Sequence, residues 1–230
     1  MTISNESRTR IKQVFEPIAH GMGRLGFTPD ALTLIGFAIT SVGAVLLSQQ
    51  LWLAGGLVVL IGGVFDMFDG TLARAIGKVS RLGAFMDSVF DRWGEALVYV
   101  GIVIGSLGAG FDEAAILAAA AMGSAFMVSY TRAKSEGLGF TAGTGMAAVG
   151  VMPREVRLII LSGGLIAADL FGDVILIPPP GATCIESCIQ TGGIVLLGAL
   201  AVIAVGATIT VIQRILHVRR QAHHQSTQSQ

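Results

Sequence analysis

Apolar residues gather into six runs along the chain, at 31–47, 51–73, 83–107, 114–130, 156–177 and 192–216, separated by polar or charged links. Each approaches the roughly 20 residues that a helix needs to cross the hydrocarbon core of a bilayer. The pattern therefore predicts six transmembrane helices. The third run carries charges at its start and turns purely apolar only from Ala96. Ahead of the first run, residues 8–25 interleave Arg8, Arg10, Lys12 and Arg24 with Ile11, Val14, Phe15 and Ile18. Apolar residues at three-to-four spacing beside basic ones describe an amphipathic helix lying on the membrane surface. The expected fold is an all-α integral membrane protein: six transmembrane helices plus an N-terminal amphipathic surface helix. One membrane domain covers residues 1–216. The polar, low-complexity remainder, 217–230, is expected to be a disordered cytoplasmic tail.

Composition agrees with this picture. Hydrophobic residues make up 53% of the 230 and charged residues only 13%, against about 25% charged in soluble domains. No second, soluble domain is indicated, and no apolar stretch with a small-residue cleavage site marks a signal peptide. The formal net charge is zero, so placement carries the information. With the N-terminus in the cytoplasm, every basic residue falls on the inner side: Arg8, Arg10, Lys12, Arg24, Arg74, Lys78, Arg81, Arg92, Arg132, Lys134, Arg154, Arg157, Arg214, Arg219 and Arg220. The outer connections hold only Asp112, Glu113, Asp173 and Glu186. That asymmetry sets both termini inside, and no nucleic-acid partner is expected. Cys184 and Cys188 fall in the last outer loop beside Pro178, Pro179 and Pro180, where a disulfide is permitted. Their spacing does not suggest a metal site. His223 and His224 read as part of the solvated tail.

The segment FDMFDGTLARAIGKVSRLGAFMDSVFD, residues 65–91, departs from the apolar pattern. Asp66 and Asp69 are three apart near the inner end of the second run. Asp87 and Asp91 are four apart near the start of the third. Both spacings put a pair on one helix face. A short inner link makes the two helices antiparallel neighbours, so four carboxylates are expected to converge between them. Crowded carboxylates repel unless a cation joins them. A hard divalent ion such as Mg²⁺ takes oxygen ligands and keeps positions open for substrate phosphates. Ionisable residues at membrane depth are functional by default. Gly70, Ala73 and Gly83 are small and allow close approach, and Arg74 offers a planar fork that suits a phosphate. A transporter with intramembrane acids is a distant alternative, because its acids would lie at mid-membrane in broken helices.

Asp66-x-x-Asp69-Gly70-x-x-Ala73-Arg74, eight residues, Gly83, three residues, Asp87, three residues and Asp91 together resemble the complete motif of the CDP-alcohol phosphotransferases. The six-helix layout with a surface helix is similar to that family as well. The resemblance implies transfer of a substituted phosphate from a CDP-lipid, CDP-diacylglycerol, to an alcohol, with release of CMP. It implies two Mg²⁺ or Mn²⁺ ions per site, held by Asp66, Asp69, Asp87 and Asp91, with Asp91 also the general base. It assigns Gly70, Arg74 and Ser80 to the CDP part of the donor, together with Pro29, Asp30, Ala31 and Leu32. A homodimer in the cell membrane is implied, with its active site cytoplasmic.

The acceptor is read from elsewhere. SYTRAKSEG and MPREVRLII bring Arg132, Lys134, Arg154 and Arg157 to the side of the aspartates. Arg forks with a Lys point charge suit a phosphate monoester. This arrangement resembles the phosphatidylinositol phosphate synthases within the family and implies inositol 1-phosphate as acceptor, giving phosphatidylinositol phosphate. Glycerol 3-phosphate, as in phosphatidylglycerophosphate synthases, also carries a phosphate and stays open.

Overall fold

The computed structural model describes residues 21, 28–75, 77, 79–140, 149–172 and 191–228; of residues 67, 69–71, 74, 75, 191 and 224–228 it describes the backbone alone. The surface helix expected at 8–25 (Gly21 apart) and the loop with Cys184 and Cys188 lie outside these residues. Among the described residues every regular element is a helix. They are α1 Pro29–Ser48, α2 Trp52–Ala75, α3 Arg81–Gly108, α4 Asp112–Gly137, α5 Arg154–Leu170 and α6 Thr191–Gln228. Each falls on one apolar run.

Their starts follow from local chemistry. Thr28 caps α1, its hydroxyl accepting from Ala31 N at 3.2 Å, with Pro29 in the first turn. Ser80 caps α3 by accepting from Gly83 N at 2.8 Å. Both are the short oxygen-bearing caps that satisfy orphan N–H groups. Among the described residues three stretches are long and apolar enough to cross a membrane: Pro29–Ser48, Asp112–Gly137 and Gly192–His223. The apolar part of α2, Trp52–Asp66, is shorter. The outward faces carry exposed Val42, Val45, Ile61, Ile104, Ile159, Val202 and Val205. Apolar side chains on both the inner and outer faces are what a lipid environment selects. The chain is a membrane protein built of helices.

The helices close a ring in the order α1, α2, α5, α6, α4, α3. This corrects one expectation. α2 and α3 do not lie along one another; α1 packs between them. Small residues open that space. A side chain at Gly43 would meet Val59 and the Gly55 carbonyl, and one at Gly62 would meet Thr40 and the Gly36 carbonyl. On the other flank, one at Gly101 would strike the Ala44 carbonyl and one at Gly105 the Leu47 carbonyl. Glycines seven residues apart on α1 and α2, and four apart on α3, let the three backbones touch. Aspartates on α2 and α3 therefore face one another across the end of the ring rather than along a shared seam.

The ring's interior is apolar, with Val59, Val98, Tyr99, Ile102, Leu161, Leu165, Leu200 and Ile203 buried. α4 contributes a face of Ala114, Ala118, Ala121 and Ala125, and α6 packs beside α4. A second correction concerns the tail: α6 runs to Gln228 instead of ending near 216. Residues 207–228 contain no Gly or Pro, and extending an existing helix adds one hydrogen bond per residue without a new nucleus.

Candidate metal and active site

At one end of the ring a cleft is lined by Asp66 from α2, Asp91 and Glu95 from α3, Arg154 and Arg157 from α5, and Thr33 from α1. Asp66, Asp87 and Asp91 each offer one carboxylate oxygen, and these oxygens all lie within 4.8 Å of one another. Asp69 is on α2, one turn beyond Asp66, but its side chain lies outside the described residues, as does that of Arg74; of Gly70 the backbone is described as helical.

The cluster fits a divalent cation on its own chemistry. Asp91 Oδ1 is buried and accepts no hydrogen bond among the described residues. An ionised carboxylate oxygen can only accept, so it needs a donor or a cation. Oxygen-only ligands suit a hard ion with coordination positions left for substrate oxygens.

Arg154, at the first turn of α5, reaches this cluster. Its Nη1 bonds Asp66 Oδ2 and stands 2.7 Å from Asp91 Oδ2. Arg157 follows three residues later and turns elsewhere. Its Nε and Nη2 donate to the two oxygens of Glu95 at 2.8 and 2.9 Å, and its Nη1 donates to Met152 O at 3.1 Å. It is 1% exposed, so its guanidinium supports the cleft from within. Arg132 and Lys134 are exposed at the end of α4, and Arg132 Nε pairs with Glu136 at 2.9 Å. The four basic residues therefore separate into one at the aspartates, one beneath them and two at the rim of α4.

The residues expected at the donor gather partly. Asp30, in the first turn of α1, and Ser80, the cap of α3, both border Gly83: a side chain there would lie 3.2 Å from Asp30 Oδ1 and 3.0 Å from Ser80 Oγ. Glycine keeps that corner open. Pro29 and Ala31 share the turn with Asp30. Leu32 is fully buried and packs into the bundle.

Three contributors escaped the sequence reading. Glu95 continues the series Asp87, Asp91 by one more turn; an acid that deep in an apolar run was the available sign. Thr210 and Arg214, on α6, fasten the segment before α5. Thr210 Oγ1 accepts from Val151 N at 3.2 Å and Met152 N at 3.0 Å. Arg214 donates to Val149 O at 3.0 Å and to Val128 O on α4. Gly150 passes Thr210 at φ +121, a conformation open chiefly to glycine. These bonds set where Arg154 begins α5. No local pattern betrays them, because the partners are 58 residues or more apart.

Comparison with known proteins gives a consistent picture. The chain is 33% identical over 226 residues to a phosphatidylinositol phosphate synthase of Streptomyces avermitilis, covering 96% of this chain and 84% of that protein. It is 38% identical over 154 residues to an archaetidylinositol phosphate synthase of Pyrococcus horikoshii, covering 67% and 77%. Among solved structures it resembles the phosphatidylinositol phosphate synthase of Mycobacterium tuberculosis with CDP-DAG bound, with a TM-score of 0.71, 28% identity and coverage of 90% of this chain and 94% of that one. The same enzyme in complex with manganese and citrate matches with a TM-score of 0.69 and 29% identity, over 89% and 88%. The family model for CDP-alcohol phosphatidyltransferase matches residues 27–219, a span that holds the helical ring and the aspartate cleft together, and the chain belongs to that family.

Proposed function

We propose that this chain transfers a phosphatidyl group from CDP-diacylglycerol to inositol 1-phosphate, forming phosphatidylinositol phosphate and CMP. The observation that carries the reading is the joining of Asp66, Asp87 and Asp91 with Arg154 in one cleft. The acids suit a pyrophosphate held through metal, and the guanidinium suits a phosphate on the acceptor.

Asp66, Asp69, Asp87 and Asp91 would hold two Mg²⁺ or Mn²⁺ ions. Bound there, such ions neutralise the donor pyrophosphate and the departing CMP. The donor's cytidine and phosphates lie along Pro29, Asp30, Ala31 and Ser80, where α1 and α3 begin, and along Gly70 and Arg74 of α2, with Leu32 packed behind them. Arg154, with Arg132 and Lys134, holds the acceptor phosphate, and Arg157 supports Arg154 from beneath. Asp91 takes the proton of the acceptor hydroxyl as its oxygen attacks the lipid-linked phosphorus. The phosphorus–oxygen bond to CMP breaks in the same displacement. A carboxylate can serve as base only within hydrogen-bond reach of that proton, and Asp91 lines the cleft.

In this reading all six helices cross the membrane, the N-terminal surface helix lies on its inner face, and both termini and the cleft are cytoplasmic. The membrane domain ends near residue 216, with the polar end of α6 projecting into the cytoplasm, and the enzyme works as a homodimer. A lipid donor and a water-soluble acceptor can meet only at such a rim.

The test is CMP release by purified protein from CDP-diacylglycerol with inositol 1-phosphate, inositol, glycerol 3-phosphate and serine offered in parallel. Preference for inositol 1-phosphate is expected. Preference for glycerol 3-phosphate would reassign the acceptor, and absence of CMP release with all four would overturn the proposal.

A further inference from the structure

Glu95 lies one helical turn past Asp91 and lines the same cleft. It is held by two arginines: Arg157 through the paired bonds already described, and Arg92 through Nη1 to Oε2 at 3.1 Å. The other amino group of Arg92 stands 3.6 Å from Asp91 Oδ2. The guanidinium groups of Arg154 and Arg157 thus share a cleft with Asp66, Asp91 and Glu95, and that of Arg92 borders it beside Asp91.

Such crowding bears on cation binding. Guanidinium and carboxylate groups pair strongly wherever water is scarce. Each arginine that settles on the aspartates neutralises oxygens a divalent ion would use. Arg157 has no route to solvent at 1% exposure, so its charge must be met by an acid inside the cleft. Glu95 meets it, and takes Arg92 as well.

We propose that Glu95 is a positioning residue that holds Arg157 off the aspartates, and so sets the divalent-cation affinity of a site it does not ligate. This rests on the reading of the aspartates as that site. Without the carboxylate charge of Glu95, Arg157 remains buried and uncompensated, and the other acids lining the cleft are Asp91 and Asp66, already engaged by Arg154 on the same helix. Repulsion and competition then both act against the cation. If Glu95 and Arg157 merely tied α3 to α5, losing both would do at least as much damage as losing one.

The experiment is Mn²⁺ binding to purified protein without substrates, read from the free-ion electron paramagnetic resonance signal, with thermal unfolding followed for each variant. Glu95→Gln keeps the shape and removes the charge. It should weaken Mn²⁺ binding by roughly 10–100-fold, the usual cost of losing a partner outside the ligand set. Glu95→Gln combined with Arg157→Met removes the stranded cation and should return the affinity toward the wild-type value. Wild-type affinity in Glu95→Gln, or a double variant as weak as the single one, overturns the proposal. If Glu95→Gln does not fold, Arg157→Met alone decides: affinity at or above wild type supports the role, and a loss overturns it. Asp66→Ala runs alongside. Should it keep Mn²⁺ affinity, the metal reading itself is wrong; should it lose affinity while Glu95→Gln does not, only the role of Glu95 falls.

Discussion

Arg132 and Lys134 at the end of α4, and Arg154 and Arg157 at the start of α5, are two basic pairs that look alike in the sequence. The fold separates them. Arg132 and Lys134 stay exposed, and Arg132 pairs within its own helix, one turn away, with Glu136. Arg154 and Arg157 are drawn into the ring, one to Asp66 and Asp91, the other to Glu95. An exposed pair of this kind contributes about 0.3–0.5 kcal/mol, so α4 leaves its two cations nearly free to follow a soluble ligand. The α5 pair is fixed before any ligand arrives. Charge of one sign therefore does two jobs here, and burial with its partner decides which.

The strongest way to break this contrast is to remove the acid that holds Arg154. Asp91→Asn should lower turnover by roughly 10²–10⁴-fold, the usual share of a general base. CMP and CDP-lipid binding should fall less than in an alanine variant of the cluster, because the asparagine carbonyl oxygen can still ligate, and near-normal turnover would end the base assignment. Asp66→Ala or Asp87→Ala should next weaken metal-dependent CMP binding by at least the roughly 10–100-fold that loss of an outer partner costs, because each removes a direct ligand. Titration of CMP with and without divalent ion measures it; unchanged metal-dependent affinity would count against the site.

Smaller effects sharpen the comparison. Arg154→Ala should raise the KM for inositol 1-phosphate roughly tenfold or more, since a charge-assisted hydrogen bond contributes about 1.5–3 kcal/mol and about 1.4 kcal/mol is tenfold. The donor KM should move far less. An unphosphorylated alcohol driven at high concentration should show little change, and equal changes in both KM values would reduce Arg154 to a topology anchor. Arg132→Ala should raise the acceptor KM only severalfold, in keeping with an exposed charge interaction of about 1 kcal/mol or less. An effect of Arg132→Ala equal to that of Arg154→Ala would erase the difference between the two pairs.

The helices were legible because apolar length acts locally, each run being long enough to form one helix by itself. The aspartate grouping was legible because helical spacing fixes which residues share a face, and Asp66, Asp87 and Asp91 meet accordingly. The wedge of α1 between α2 and α3 was not, since a glycine such as Gly43 or Gly101 does not announce which backbone it will admit. Arg157 illustrates the remaining limit. In sequence it is a second positive charge beside Arg154; only the fold sets Glu95, 62 residues away, against it. The helical end of α6 was hidden for another reason, because polar composition was read as disorder where an apolar helix already supplied the nucleus.

The fastening of residues 149–152 by Thr210 and Arg214 has a consequence for how the protein is made. Helices α1 to α3 emerge early from the ribosome and already contain the acids of the cluster. The bonds that fix the start of α5 come from α6, which is synthesised after α5. Until α6 packs, Arg154 lacks the anchorage that aims it at the aspartates. A nascent chain therefore carries its acids long before it can set Arg154 beside them, and docking of α6 is the event that completes the cleft.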